Sequence, residues 1–285
     1  RCRSNVTAAS ENGDCQLFEH TIATTKPYWR GQLHRLGACL FPLFSLHLCV
    51  SSTRGLRHAL LFSGGIEFIM AVSAVLHTTD WTGRLERQIN RLTQCSAMLV
   101  ASAEAAANKQ LSKRLAAVQR RLFALEMAAA QVKTGSIYHP GWIRLLDYSA
   151  IFVGIALLYS SLGGLIMGDT VIFRRFISPL VWSGAIVGVL SKACFLDTAR
   201  WVEAAAFLAQ GWACLLGYRA IRAALTLNEG LLLLGGGLCF TLGVLAYVIQ
   251  WPDFHWHRDH FRAHEVFHLG TIGGFSCMHM LMLSL

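Results

Sequence analysis

The residues best suited to chemistry are three histidines, an aspartate and a serine. The stretch HEVFH places His264 and His268 four residues apart, and therefore on one face of a helix. This spacing fits H-E-x-x-H, in which two histidines bind zinc and the glutamate activates a water molecule. The segment SAVLH gives Ser73 and His77 the same spacing, and RLLDYSAIF supplies Asp147. Three histidines and a water molecule form a standard open zinc site. Asp147 could orient or deprotonate that water, and Ser73 could donate a hydrogen bond to it.

The composition indicates which elements must carry these residues. The chain has 285 residues, of which 54% are apolar and only 14% are charged, whereas a soluble domain averages about 25% charged residues. The apolar residues lie in long runs, and about 20 such residues cross a bilayer as a helix. The sequence therefore predicts an all-α, polytopic membrane bundle of seven transmembrane helices. The expected spans are 35–52, 57–77, 147–167, 176–195, 199–217, 230–250 and 264–284.

The positions of Lys and Arg predict how this bundle is oriented. With the N-terminus inside, 19 of the 25 Lys and Arg residues lie on the inner side, as the positive-inside rule requires. The C-terminus then lies outside, and the inner ends of spans two, three and seven share one layer. That layer contains His77, Asp147, His264 and His268. The net charge of +9 follows from the same rule, and nucleic-acid binding is disfavoured because no basic stretch alternates with aromatic residues.

Residues 81–140 separate spans two and three and are long for a loop. Leu111, Leu115, Val118, Leu122 and Leu125 repeat at helical spacing. We predict an inserted helical hairpin on the inner face, with Lys and Arg on its wet side. Packing against the bundle, docking of a protein partner and contact with the lipid surface all stay open. The predicted division is an N-terminal extension (1–30), spans one and two (31–80), the hairpin (81–140) and spans three to seven (141–285).

Other polar residues within or beside the spans have simpler expected roles. His255, His257 and His260 lie in the loop HWHRDH and are expected at the surface or at the mouth of the site. His279 lies deeper in span seven, where a buried, hydrogen-bonded role is expected. Glu67 and Glu203 are intramembrane acids, for which a polar partner or a water-filled cavity is the default.

The chain resembles the hemolysin III family, within the wider progestin and adiponectin receptor group. The similar segments are SAVLH (73–77), LDYSAIF (146–152), Gly211-Trp212, GGGLCFTLGVLAY (235–247), HEVFH and the later His279. The resemblance implies that His77, His264 and His268 bind Zn²⁺ near the inner face, with Asp147 and Ser73 beside it. It also implies a role in membrane-lipid homeostasis or ceramidase-like amide hydrolysis. The insert at 81–140 departs from the family pattern, and the family's early Asn/His region is only partly present around His34.

Two functions stay open at this point. The first is a zinc-dependent membrane hydrolase or lipid regulator that acts on membrane lipids. The second is a non-catalytic accessory or scaffold subunit that docks onto a larger membrane complex through the 81–140 insert. A soluble metalloprotease is disfavoured because the H-E-x-x-H segment lies at the start of a predicted membrane span. The chain begins at Arg1 rather than at a methionine, so an organellar inner membrane is one expected location.

Overall fold

The computed structural model describes residues 29, 31–51, 55–106, 109–130, 138–252 and 261–285. Within these ranges the chain is helical and contains no strand. The expected N-terminal extension, apart from residue 29, and the histidines of the loop HWHRDH lie outside the described residues. The α-helices are α1 (Gln32–Ser51), α2 (Leu56–Thr78), α3 (Trp81–Ala106), α4 (Lys109–Ala130), α5 (Gly141–Met167), α6 (Phe173–Cys194), α7 (Arg200–Gly211), α8 (Tyr218–Ala224), α9 (Leu227–Ile249) and α10 (Ala263–Ser284).

Six of these helices are long and apolar enough to cross a membrane, namely α1, α2, α5, α6, α9 and α10. The chain is therefore an all-α, multi-pass membrane protein, as its composition predicts. The remaining predicted span, 199–217, is not among these six and is not one continuous α-helix. It contains α7 and a 3₁₀ segment (Trp212–Gly217), and α8 follows directly; we call the three together the composite helix.

This composite helix runs antiparallel to α9. The Arg200 guanidinium lies 5.7 Å from the ring of Tyr247, near the end of α9, whereas Trp212 Nε1 donates to Thr241 Oγ1, earlier in α9, at 3.0 Å. The positions of the end of α2 and the start of α10 also bear on whether the composite helix crosses the membrane. The start of α10 meets the end of α2 (below), so an even number of crossings must separate them. Helices α5, α6 and α9 supply three, and a fourth crossing by α7 with α8, which would give seven in all, stays a prediction.

Side-chain hydrogen bonds join this irregular span to its neighbouring helices. The Tyr159 hydroxyl donates to the Gly211 carbonyl at 2.8 Å and accepts from the Cys214 N–H at 2.7 Å. Gln210 Nε2 donates to the carbonyl oxygens of Phe152 and Val181, at 3.1 and 3.0 Å. These bonds matter because unpaired backbone groups are costly in lipid.

Helices α9 and α10 pack with their backbones in direct contact. A Cβ added to Gly270 would lie 2.6 Å from the Cys239 carbonyl oxygen and 2.9 Å from Gly243 Cα. Small residues at such positions allow membrane helices to approach closely. The contact fixes α10, which carries the HEVFH segment, against α9.

Two intramembrane acids have polar partners, as expected of charged groups in lipid. Glu203 in α7 forms a buried ion pair with Lys192 in α6, and Thr198 Oγ1 also donates to this carboxylate at 2.8 Å. Glu67 in α2 accepts a hydrogen bond from the Ser45 hydroxyl of α1 at 3.1 Å.

The described residues between 82 and 138 fall in one compact unit, and the other described helices fall in a second. The helices of the first unit, α3 and α4, are amphipathic. The leucine and valine stripe of α4 is half-buried, whereas the Lys and Arg residues of both helices are exposed: Arg84, Arg87, Arg91, Lys109, Lys113, Arg114, Arg120 and Arg121. The insert is thus helical, as its periodicity predicts, and the proposed domain boundaries stay a prediction.

Candidate metal centre

Three histidines from two helices converge in the bundle. His77 lies in the last turn of α2, and His264 and His268 lie in the first two turns of α10. One ring nitrogen from each lies within 4.8 Å of the others. His77 and His268 are buried and His264 is half-buried. His77 and His264 are 187 positions apart in the sequence. The three imidazoles nevertheless converge on one point, as the HxxxH spacing and the topology predict.

The spacing of these imidazoles suits a tetrahedral ion. The Nε2 atoms of His77 and His264 are 3.2 Å apart. Two nitrogens bound tetrahedrally to zinc at about 2.0–2.1 Å lie roughly 3.3 Å from each other. Three neutral imidazoles with one open position also match the donor set of catalytic zinc sites. The residues present therefore fit Zn²⁺, and they would bind it through His77, His264 and His268.

The carboxylate and hydroxyl expected beside the histidines are also in place. Ser73 lies one turn before His77 in α2 and is buried, and its hydroxyl hydrogen-bonds the Asp147 carboxylate of α5. Both side chains line the same cavity as the three histidines. The structure thus places all five predicted site residues around one end of that cavity.

The glutamate of H-E-x-x-H has a structural task. Glu265 is fully buried, and its Oε2 accepts the backbone N–H of Arg262 at 2.7 Å. It therefore caps the start of α10, where the first backbone N–H groups lack partners within the helix. This contact accounts for the presence of Glu265 without assigning it the role of general base in a protease.

Two histidines near the centre were not among the predicted site residues. The ring of His34 lies 3.9 Å from that of His268, and the ring of His139 lies 6.2 Å from that of His77, between centroids. His34 fell outside the predicted first span because that span was placed at 35–52, whereas α1 begins at Gln32. The feature that singled out His77, a histidine at the inner end of an apolar run, would have identified His34.

His279 is buried, as expected, but it lies away from the centre. Its ring packs against those of Phe44 and Phe62, with centroids 5.5 and 6.2 Å away. It is therefore a useful reference histidine on the helix that carries His264 and His268.

The cavity extends from the histidines into the membrane-spanning part of the bundle. Its volume is about 590 Å³, within the range of about 300–1,000 Å³ typical of ligand sites. It follows α9 from Val244 to Leu227, which at 1.5 Å per residue is a length of about 25 Å. Apolar side chains form most of its wall. Leu215, Leu231 and Leu234 line it and are 59%, 56% and 47% exposed.

Comparison with known proteins gives a consistent assignment. The model of the family described as "Haemolysin-III related" matches residues 131–279. A "Hemolysin-3 homolog" of Bacillus subtilis (strain 168) is 28% identical over 142 residues, which cover 50% of this chain and 62% of that protein. A "Hemolysin-3" of Bacillus cereus is 26% identical over 153 residues, or 52% of this chain and 64% of that protein. The matched regions span less than two thirds of each relative. No solved structure matches.

Proposed function

Because the chain belongs to the haemolysin-III related family, we propose that it is a zinc-dependent membrane protein that hydrolyses amide bonds of membrane lipids. The observation that carries this proposal is the position of the histidine cluster. Three convergent imidazoles and a hydrogen-bonded Ser73–Asp147 pair lie at one end of a long apolar cavity. A water-soluble substrate would not require a cavity with a mostly apolar wall.

The dimensions of the cavity support a lipid substrate. One acyl chain occupies about half of the roughly 30 Å hydrocarbon core, so a cavity about 25 Å long accommodates it. Leu215, Leu231 and Leu234 line the cavity and are about half exposed, so its wall is not sealed by protein on their side. This arrangement favours access from the lipid phase, with the acyl chain along the wall and its carbonyl group at the histidines.

Each site residue then has a role. A zinc ion held by three imidazoles lowers the pKa of a bound water to about 7 and polarises a carbonyl group. Asp147 accepts the proton of the attacking water on a carboxylate oxygen and returns it to the leaving amine nitrogen. The Ser73 hydroxyl, through its hydrogen bond, holds that carboxylate in position. The apolar wall excludes other water from the reacting carbonyl.

The test is metal analysis combined with lipid turnover by the purified protein. We expect one zinc per chain and release of fatty acid from N-acyl sphingoid or N-acylethanolamine substrates. His264→Ala and His268→Ala should lose both metal and turnover. His279→Leu, on the same helix but away from the centre, should keep both. Turnover that persists after loss of the metal would refute the proposal.

A second candidate function is an accessory subunit of a membrane complex. It is favoured by α3 and α4, which expose Met98, Phe123 and Met127 at 65%, 64% and 45% together with a row of basic residues. Such a surface suits a protein partner, and the insert would be its docking element. This function predicts zinc without lipid turnover, and a co-purifying complex that is lost on deletion of 82–133 and on Met98→Ser/Phe123→Ser.

A further inference from the structure

His34 lies next to the three-histidine cluster without belonging to it. Its ring centroid is 3.9 Å from that of His268, at an angle of 63°, and its side chain lines the cavity beside Ser73 and Asp147. In the part of the chain that the structure describes, the group of convergent ligand atoms consists of His77, His264 and His268. His34 therefore contacts the candidate metal site from the side of the cavity.

The ring nitrogens of His34 are buried and unpaired among the described residues. The residue is 2% exposed, and among the described residues neither Nδ1 nor Nε2 has a hydrogen-bond partner. A neutral imidazole carries one N–H donor and one acceptor. Buried polar atoms of this kind are almost always paired, and each exception calls for an explanation. A polar group within the cavity supplies that explanation.

Three other polar side chains along the cavity have partners within the protein. The Thr271 hydroxyl donates to the Phe267 carbonyl at 2.9 Å, and the Thr241 hydroxyl donates to the Gly237 carbonyl at 2.7 Å. The Tyr159 hydroxyl is paired with backbone groups of the composite helix, as described above. His34 therefore offers unpaired polar atoms beside the candidate metal site, while Tyr218 and Arg222 line the cavity toward its other end, near Leu227.

We propose that His34 donates a hydrogen bond to the acyl oxygen of the lipid in this cavity. This inference rests on the proposed function, because it assigns His34 a role in that site. During hydrolysis the water oxygen bonds to the acyl carbon, the C–N bond breaks, and the water proton passes to the leaving nitrogen. Negative charge grows on the acyl oxygen before that bond breaks, and a fixed N–H donor stabilises it. In the fatty-acid product the same donor faces a carboxylate oxygen.

The inference predicts different results for two replacements of His34. His34→Leu removes the donor, whereas His34→Gln keeps an N–H donor on a side chain of similar length. Loss of one such donor lowers kcat roughly 10²- to 10³-fold in acyl-transfer enzymes. His34→Leu should lower kcat by that amount with little change in KM, and His34→Gln should recover most of it. Both should keep wild-type zinc content, since His34 is not one of the convergent ligands.

A binding measurement tests the same hydrogen bond without turnover. The probe is a fluorescent C18 fatty acid added to the zinc-loaded protein and, separately, to protein treated with a chelator. Since a hydrogen bond to a charged group contributes about 1.5–3 kcal/mol, His34→Leu should weaken binding roughly 10- to 100-fold in both forms. The control is His279→Leu, the same replacement at a buried histidine that is not among the cavity-lining residues. It should bind as the wild type does.

Each outcome decides the inference. Wild-type affinity in folded His34→Leu overturns it, and so does loss of zinc from that variant, which would make His34 a support of the metal. If His34→Leu does not fold, His34→Met takes its place, because a flexible apolar side chain fills irregular space. If the wild type hydrolyses no lipid amide, the proposed enzyme function fails, and the binding measurement still decides the role of His34.

Discussion

Replacement of Gly31 by alanine tests whether the start of α1 holds His77 in place. Gly31 has a positive φ of 81° and precedes α1. A Cβ at this position would lie 2.8 Å from His77 Cβ and 2.9 Å from Thr78 Cγ2. Real Cβ atoms do not approach this closely, so the end of α2 would have to move. His77 would move with it and so change its position relative to the two histidines of α10.

A second glycine separates this steric effect from backbone strain. Gly55 also has a positive φ, 115°, but a Cβ there would meet no atom within 4 Å. Both alanine variants incur a strain of about 1–3 kcal/mol from the backbone conformation. Only Gly31→Ala also forces a Cβ into filled space, which costs a further 1–3 kcal/mol or so. A displaced ligand should in addition weaken zinc binding by about 10- to 100-fold, the effect of losing contacts that orient a metal ligand.

The assay is zinc competition against a fluorescent chelator, with unfolding of the purified protein measured in parallel. Gly31→Ala should bind zinc 10- to 100-fold more weakly, and Gly55→Ala should bind it within about twofold of the wild type. The reasoning is refuted if both variants bind zinc equally well. It is also refuted if Gly55→Ala loses zinc to the same degree, because backbone strain alone would then account for the effect.

Three further predictions concern the packing that positions the site, and all are measured by unfolding in a mixed-micelle titration. Gly270→Ala should destabilise the protein by about 1–3 kcal/mol, whereas Gly230→Ala, where a Cβ meets nothing within 4 Å, should be neutral or slightly stabilising; equal effects would contradict the close contact of α9 and α10. Lys192→Met should cost about 3–5 kcal/mol because it leaves a buried carboxylate unpaired, and Glu203→Gln added to it should recover more than half; an additive double variant would disprove the buried pair. Tyr159→Phe removes the hydroxyl that bonds the composite helix and should cost about 1–3 kcal/mol; no loss would show that this helix is held by other contacts.

The candidate site was predictable because its signals are local. The length of each apolar run predicts a span, and HxxxH places His264 and His268 on one face regardless of their surroundings. The Lys and Arg distribution then predicts that the end of span two and the start of span seven lie on the same side. The structure brings these ends together, with the two Nε2 atoms 3.2 Å apart. That this side is the inner one stays a prediction from the charge distribution.

The features that the sequence did not reveal depend on distant contacts. The 3₁₀ segment in the composite helix is stabilised by Tyr159, 52 residues before the carbonyl oxygen that it binds. The position of His34 depends on where α1 begins, and a shift of three residues relative to the predicted span brings it into the helix. The capping role of Glu265 depends on the chain turning at Arg262. The contacts of Tyr159 leave no periodic or compositional signal, whereas His34 at least lies at the end of an apolar run.

The contact between Gly243 and Gly270 also limits how this part of the chain can evolve. Gly270 lies only two residues after His268, so the point where the two helices touch and the face that bears the imidazoles are set by the same turn of α10. Inserting or deleting one residue between His268 and Gly270 would rotate the face that bears the imidazoles relative to the contact with α9 by about 100°. The histidines would then point away from His77, or a side chain would be forced into the space where only a hydrogen atom fits. Single-residue insertions and deletions should therefore be tolerated in the connections between helices and eliminated from this turn.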